Sequence, residues 1–80
     1  MRRQNITIHG STGTIGKNAL SVIAQSKNQH KVFALSAKSK IKTLYNQIKR
    51  FNPKYAVVLD EDKAKQLSAL CVKDKISTKI

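Results

Sequence analysis

Eighty residues with sixteen Lys and Arg against four acids carry a formal net charge of +12. Such a chain holds one small domain with a limited core, and its charge favours phosphate-rich partners over acidic-site chemistry. The single cysteine, Cys71, excludes an internal disulfide and fits a reducing, cytoplasmic setting, while no apolar run reaches membrane-spanning length.

Met1-Arg2-Arg3-Gln4-Asn5 leads directly into an apolar run, leaving no room for a signal or transit peptide. Asn5 to His9 reads as a first strand. Ile15, Ala19, Val22 and Ile23 fall at i, i+4, i+7 and i+8, which predicts one buried face of a helix from Thr14 to Ser26. Lys27 to His30 is a polar connection. Val32-Phe33-Ala34-Leu35 has the continuous apolar character of a buried parallel strand. Ile41, Leu44, Tyr45 and Ile48 mark a second helix with Ser39 as its expected N-cap, and Asn52-Pro53 ends it. Tyr55 to Leu59 is the clearest strand. Asp60 is placed to cap a third helix, with Ala64, Leu67, Leu70 and Cys71 on one face. Thr78 to Ile80 has the composition to start a fourth strand.

The order β-α-β-α-β-α predicts an α/β, Rossmann-like parallel sheet with right-handed crossovers. A complete dinucleotide-binding domain has about six strands. This chain accommodates half of that and stops at Ser77-Thr78-Lys79-Ile80 without a capping glycine, as expected for the first part of something longer.

The chemistry concentrates at Gly10-Ser11-Thr12-Gly13-Thr14-Ile15-Gly16, between the first strand and first helix. Glycines there allow a tight turn and close approach to phosphate, and first-turn N–H groups bind the negative charge. The spacing is Gly-x-x-Gly-x-x-Gly, which also suits a strand-to-helix turn without a ligand. The second strand adds a preference. An NAD-binding fold places Asp or Glu about 20 residues beyond the glycines, yet no acid precedes Asp60. Ser36-Ala37-Lys38-Ser39-Lys40 stands there instead. Its lysines and a hydroxyl attract the 2′-phosphate of NADPH, where a carboxylate would repel it.

The turn from Ile6 to Gly16, with Phe33-Ala34-Leu35-Ser36-Ala37 and Phe51-Asn52-Pro53-Lys54-Tyr55-Ala56-Val57-Val58 at matching separations, resembles the 1-deoxy-D-xylulose 5-phosphate reductoisomerase family. Its hallmark turn is Gly-Ser-Thr-Gly-Ser-Ile-Gly. The resemblance covers essentially the whole chain and implies an NADPH-binding segment. Positions Gly10, Thr12, Gly13, Thr14, Ile15 and Gly16 would hold the pyrophosphate and adjoining ribose, and Lys38, Ser39 and Lys40 would serve the 2′-phosphate side. The family's loop reads Ala-Gly/Asn-Lys/Arg-Asn; here the charge is displaced by one position.

The family enzyme isomerises its sugar-phosphate substrate and reduces the resulting aldehyde, giving 2-C-methyl-D-erythritol 4-phosphate for non-mevalonate isoprenoid synthesis. The resemblance further implies a divalent metal, Mg or Mn, and a homodimer for the full-length enzyme. The family's metal acids, catalytic loop and substrate-phosphate residues lie downstream, so the isolated chain is expected to be inactive.

Nothing within the chain replaces them. Asp60, Glu61 and Asp62 read as helix-start charges, and His9 and His30 have no partner at metal-ligand spacing. Two alternatives stay open at this level. A similar turn occurs in semialdehyde dehydrogenases and related oxidoreductases. A basic nucleic-acid-binding module would use the charge, although the four aromatic residues read as core or core edge and leave no stacking platform. Scattered lysines are also what an AT-biased genome writes.

Overall fold

The computed structural model describes residues 4–26 and 29–80; Met1 to Arg3, and Lys27 and Asn28 of the polar connection, lie outside the described residues. The elements are β1 (Gln4–Ile8), α1 (Thr14–Gln25), β2 (His30–Ala37), α2 (Ile41–Phe51), β3 (Tyr55–Val58) and α3 (Glu61–Lys73). The three strands are parallel in the order β1-β2-β3. Both crossovers advance in the same direction, so right-handed connections place α1 and α2 on one face of the sheet.

That face holds the core. Leu35 of β2, Leu44 and Ile48 of α2 and Leu67 of α3 are fully buried, joined by Ile8, Leu20, Ile23, Val32, Ala56 and Cys71. Each such aliphatic side chain contributes roughly 1.5–3 kcal/mol by leaving water. The opposite sheet face remains open and carries Thr7, His9, Ala34, Ser36, Val57 and Leu59 around a shallow, mostly apolar depression.

Helix ends follow local chemistry. Asn52 closes α2 in the left-handed conformation at φ 50°, with its N–H donating to Ile48 O at 2.8 Å, and Pro53 follows. Asp60 caps α3, its Oδ1 accepting from Lys63 N at 3.1 Å.

Three expectations need correction. The buried face of α1 is Gly16, Leu20 and Ile23; Ile15 is 86% and Val22 64% exposed. Gly16 must pack against the turn before it, and that contact sets the helix rotation. Ser39 does not cap α2: Lys40 is the N-cap residue, without a side-chain cap bond, and Ser39 contributes its carbonyl to Ile41 N at 2.8 Å. Leu70 lies at the edge of the α3 stripe and is exposed, while Leu67 and Cys71 are buried. The expected start of a fourth strand is present as one parallel bridge, Lys79 with Tyr55, with Ala56 N donating to Lys79 O at 2.8 Å and Lys79 N to Lys54 O at 3.0 Å. Its segment is tied down further, because buried Thr78 donates its hydroxyl to Pro53 O at 2.6 Å. Among the described residues no helix is long and apolar enough to cross a membrane.

Candidate functional site

The glycine turn is built by close backbone approach. Gly10 has φ +65°, a conformation that costs an L side chain about 1–2 kcal/mol. Its carbonyl accepts from Gly13 N at 3.0 Å, closing the turn, and Gly13 O then accepts from Lys17 N at 2.9 Å as α1 begins. Gly16 admits no side chain: a Cβ there would stand 2.4 Å from Gly10 O and 2.6 Å from Ser11 Cα. The glycine at the third position therefore brings the helix directly under the turn.

The helix start is chemically open. Gly13 is the N-cap of α1 and offers no side-chain acceptor, and the first turn contains no acid. Backbone N–H groups in a first helical turn have no intrahelical acceptor, and the helix dipole adds partial positive charge. Such an arrangement is chemically suited to a phosphate-bearing group. Thr12 is buried beside the turn; Gly13, Thr14 and Ile15 are exposed.

Strand β2 holds the turn from the side. Ser36 Oγ accepts from Gly10 N at 3.0 Å, and Ser36 O accepts from Ser11 N at 2.8 Å. From α2, Gln47 accepts from Ser11 Oγ at 2.7 Å and donates Nε2–H to Ser11 O at 2.8 Å. Ser36 and Gln47 are absent from the candidate residues read above. Gln47 had a signal: it lies among Leu44, Ile48 and Phe51, an amide within the apolar stripe of α2. Ser36 had only its place at the end of an apolar strand.

Lys38, Ser39 and Lys40 follow Ser36 directly and are all exposed. Their loop is fastened to the end of β3, with Leu59 N donating to Ala37 O at 3.1 Å and Asp60 N to Lys38 O at 3.0 Å. Two cations and a hydroxyl thus follow directly on the strand that anchors the turn. His9 is exposed on the open sheet face next to Gly10. Among the described residues no three His, Cys, Asp or Glu side chains gather to hold a metal ion. Burial pushes the Cys71 thiol above its ordinary pKa, and it lies in the core away from the turn.

The sequence model of the 1-deoxy-D-xylulose 5-phosphate reductoisomerase family matches residues 6–80. The chain belongs to this family. It is 44% identical over 77 residues to the 1-deoxy-D-xylulose 5-phosphate reductoisomerase of Clostridium botulinum strain 657, covering 96% of this chain and 20% of that protein. Its fold superposes with a TM-score of 0.91 on a DOX-P reductoisomerase crystallised with NADPH, fosmidomycin and magnesium, at 30% identity, over 96% of this chain and 19% of that one. The Zymomonas mobilis reductoisomerase crystallised with NADPH gives 0.90 at 29% identity, over 98% and 20%. The chain thus spans about one fifth of the length of these reductoisomerases. Family membership sets aside the semialdehyde dehydrogenase and nucleic-acid-binding alternatives, and the βαβαβα order agrees with the Rossmann-like expectation.

Proposed function

We propose that residues 1–80 are the N-terminal portion of the NADPH-binding domain of a reductoisomerase, and that its catalytic and C-terminal domains lie beyond this segment. The observation that carries this reading is the uncapped, acid-free start of α1, packed under the Gly10–Gly13 turn, with Lys38 and Lys40 in the loop that follows the strand bonded to that turn.

In this reading the N–H groups of Thr14, Ile15 and Gly16 donate to the cofactor pyrophosphate. Gly10 and Gly13 keep the approach clear, and the hydroxyls of Thr12 and Thr14 serve the adjoining phosphate and ribose. Exposed Ile15 covers the ribose. Lys38, Ser39 and Lys40 take the 2′-phosphate, so NADPH is preferred over NADH. NADPH, when bound, supplies the hydride for reduction; the residues of this chain bind and orient it.

The whole protein would convert 1-deoxy-D-xylulose 5-phosphate to 2-C-methyl-D-erythritol 4-phosphate as a cytoplasmic homodimer assisted by Mg or Mn. Among the described residues no three His, Cys, Asp or Glu side chains gather to hold that metal. The eighty residues alone are expected not to turn over substrate, because the metal acids, catalytic loop and substrate-phosphate residues of the family lie downstream of this segment.

An amide NMR titration tests the reading. Saturable shifts at Gly13, Thr14 and Lys38 to Lys40 with NADPH, weaker with NADH, are expected. A folded chain whose turn answers neither nucleotide would refute it.

A further inference from the structure

Gln47 belongs to two places at once. Its amide bonds Ser11 of the glycine turn, and its side chain also lines a groove of about 210 Å³ between α1 and α2. Lys17 and Ser21 of α1 face this groove with Thr43, Asn46, Gln47 and Arg50 of α2, over an apolar floor of Leu20 and Phe51. No carboxylate lines it, and none occurs in the chain before Asp60. Arg50 rests its guanidinium 5.4 Å from the Phe51 ring centroid. That contact orients the cation while leaving N–H groups free for an oxyanion.

We propose that this groove is a second anion site, separate from the cofactor turn, for the phosphoryl group of a small molecule. Lys17 and Arg50 take the phosphoryl oxygens through charge-assisted hydrogen bonds. The hydroxyls of Ser21 and Thr43 and the Asn46 amide suit the hydroxyls of a compact phosphate monoester. At about 210 Å³ the groove is smaller than the sites of about 300 to 1,000 Å³ that take drug-sized ligands, which suits a compact ligand.

The test is an amide NMR titration of the full 80-residue chain with glycerol 3-phosphate, inorganic phosphate and glycerol in parallel. Shifts at Ser21, Thr43, Asn46 and Arg50 read the groove, whereas shifts at Gly13 to Gly16 read the cofactor turn, so the two readings fail separately. Saturable groove shifts with either phosphate and none with glycerol are expected. A stronger response to glycerol 3-phosphate assigns a monoester, and a stronger one to inorganic phosphate assigns the free ion. The K17Q/R50Q double variant, both positions being exposed, should weaken binding at least about tenfold with unchanged circular dichroism. Shifts confined to the glycine turn, unsaturating shifts spread over all lysines, or unchanged binding by the double variant would overturn the proposal.

Discussion

Gln47 and Ser11 exchange two hydrogen bonds, 2.7 Å from Ser11 Oγ to Gln47 Oε1 and 2.8 Å from Gln47 Nε2 to Ser11 O. They are 36 residues apart in the chain, so helix α2 acts as a clamp on a turn formed by β1 and α1. Replacing Gln47 with Leu keeps volume and removes both of these bonds, leaving Ser11 O unpaired and Ser11 Oγ with only Ser36 O at 3.4 Å. Ser11 is buried, and unpaired buried groups cost about 1–3 kcal/mol. Urea unfolding should show a loss of that size. NADPH shifts at Gly13 and Thr14 should weaken in parallel.

Gly16→Ala asks for a Cβ where Gly10 O would be 2.4 Å away. Backbone cannot yield as a flexible side chain can, so the helix must move off the turn. A destabilisation of about 1–3 kcal/mol is expected. Ala at Gly13 meets only Gly10 O at 3.5 Å and should cost less. Equal losses in thermal unfolding would show that the packing contact does not govern the site.

Lys38→Glu with Lys40→Glu places carboxylates beside the proposed 2′-phosphate position. NADPH affinity should fall by about tenfold or more, while NADH binding holds or improves. Parallel titrations at fixed ionic strength separate this from a general loss of charge. Equal weakening for both nucleotides would count against a 2′-phosphate role.

Cys71 supplies a pH prediction. Burial raises its folded pKa above the ordinary value of 9.0, so the neutral thiol is favoured in the folded state. Its contribution is fully present below the unfolded pKa and is lost as pH rises through the folded value. Stability should therefore decline in alkali above about pH 9, and less steeply in Cys71→Val. Identical alkaline slopes for the two proteins would assign the decline to other groups.

Removing the Asp60 cap gives a smaller, local effect. Asp60→Ala should cost about 1 kcal/mol, with exchange protection lost first at Lys63. Protection lost uniformly along the chain would argue against a cap role.

The order of elements was legible because hydrophobic periodicity and punctuation agreed: Asn52-Pro53 closes α2, Asp60 opens α3, and the apolar run from Tyr55 contains β3. The rotation of α1 was not, since periodicity alone favours burying Ile15 and Val22 over a glycine. Only the three-dimensional approach of Gly16 to Gly10 O decides it. Ser39 is the expected cap because Ser is a common cap residue, whereas the N-cap falls one residue later, at Lys40, and α2 begins at Ile41. Of the candidate site, the glycines and lysines were visible as a motif and a charge pattern. Their supports were not, because Ser36 and Gln47 act through contacts with residues far along the chain.

Strand β2 carries one residue more than β1 between Ile6 and Thr7: Ile6 pairs with Val32, and Thr7 with Ala34. Phe33 is the extra residue, and its carbonyl is still used by Lys54 N at 2.9 Å. The irregularity sits toward the entering half of the strand. Past it, Ala34 to Ala37 run in uninterrupted step with Tyr55 to Val58. The length of the loop into β2 can therefore drift over generations without moving Ser36 from Gly10, because slack is taken up before the turn is reached. A one-residue insertion after Ala34 has no such outlet and would shift the lysines off their place.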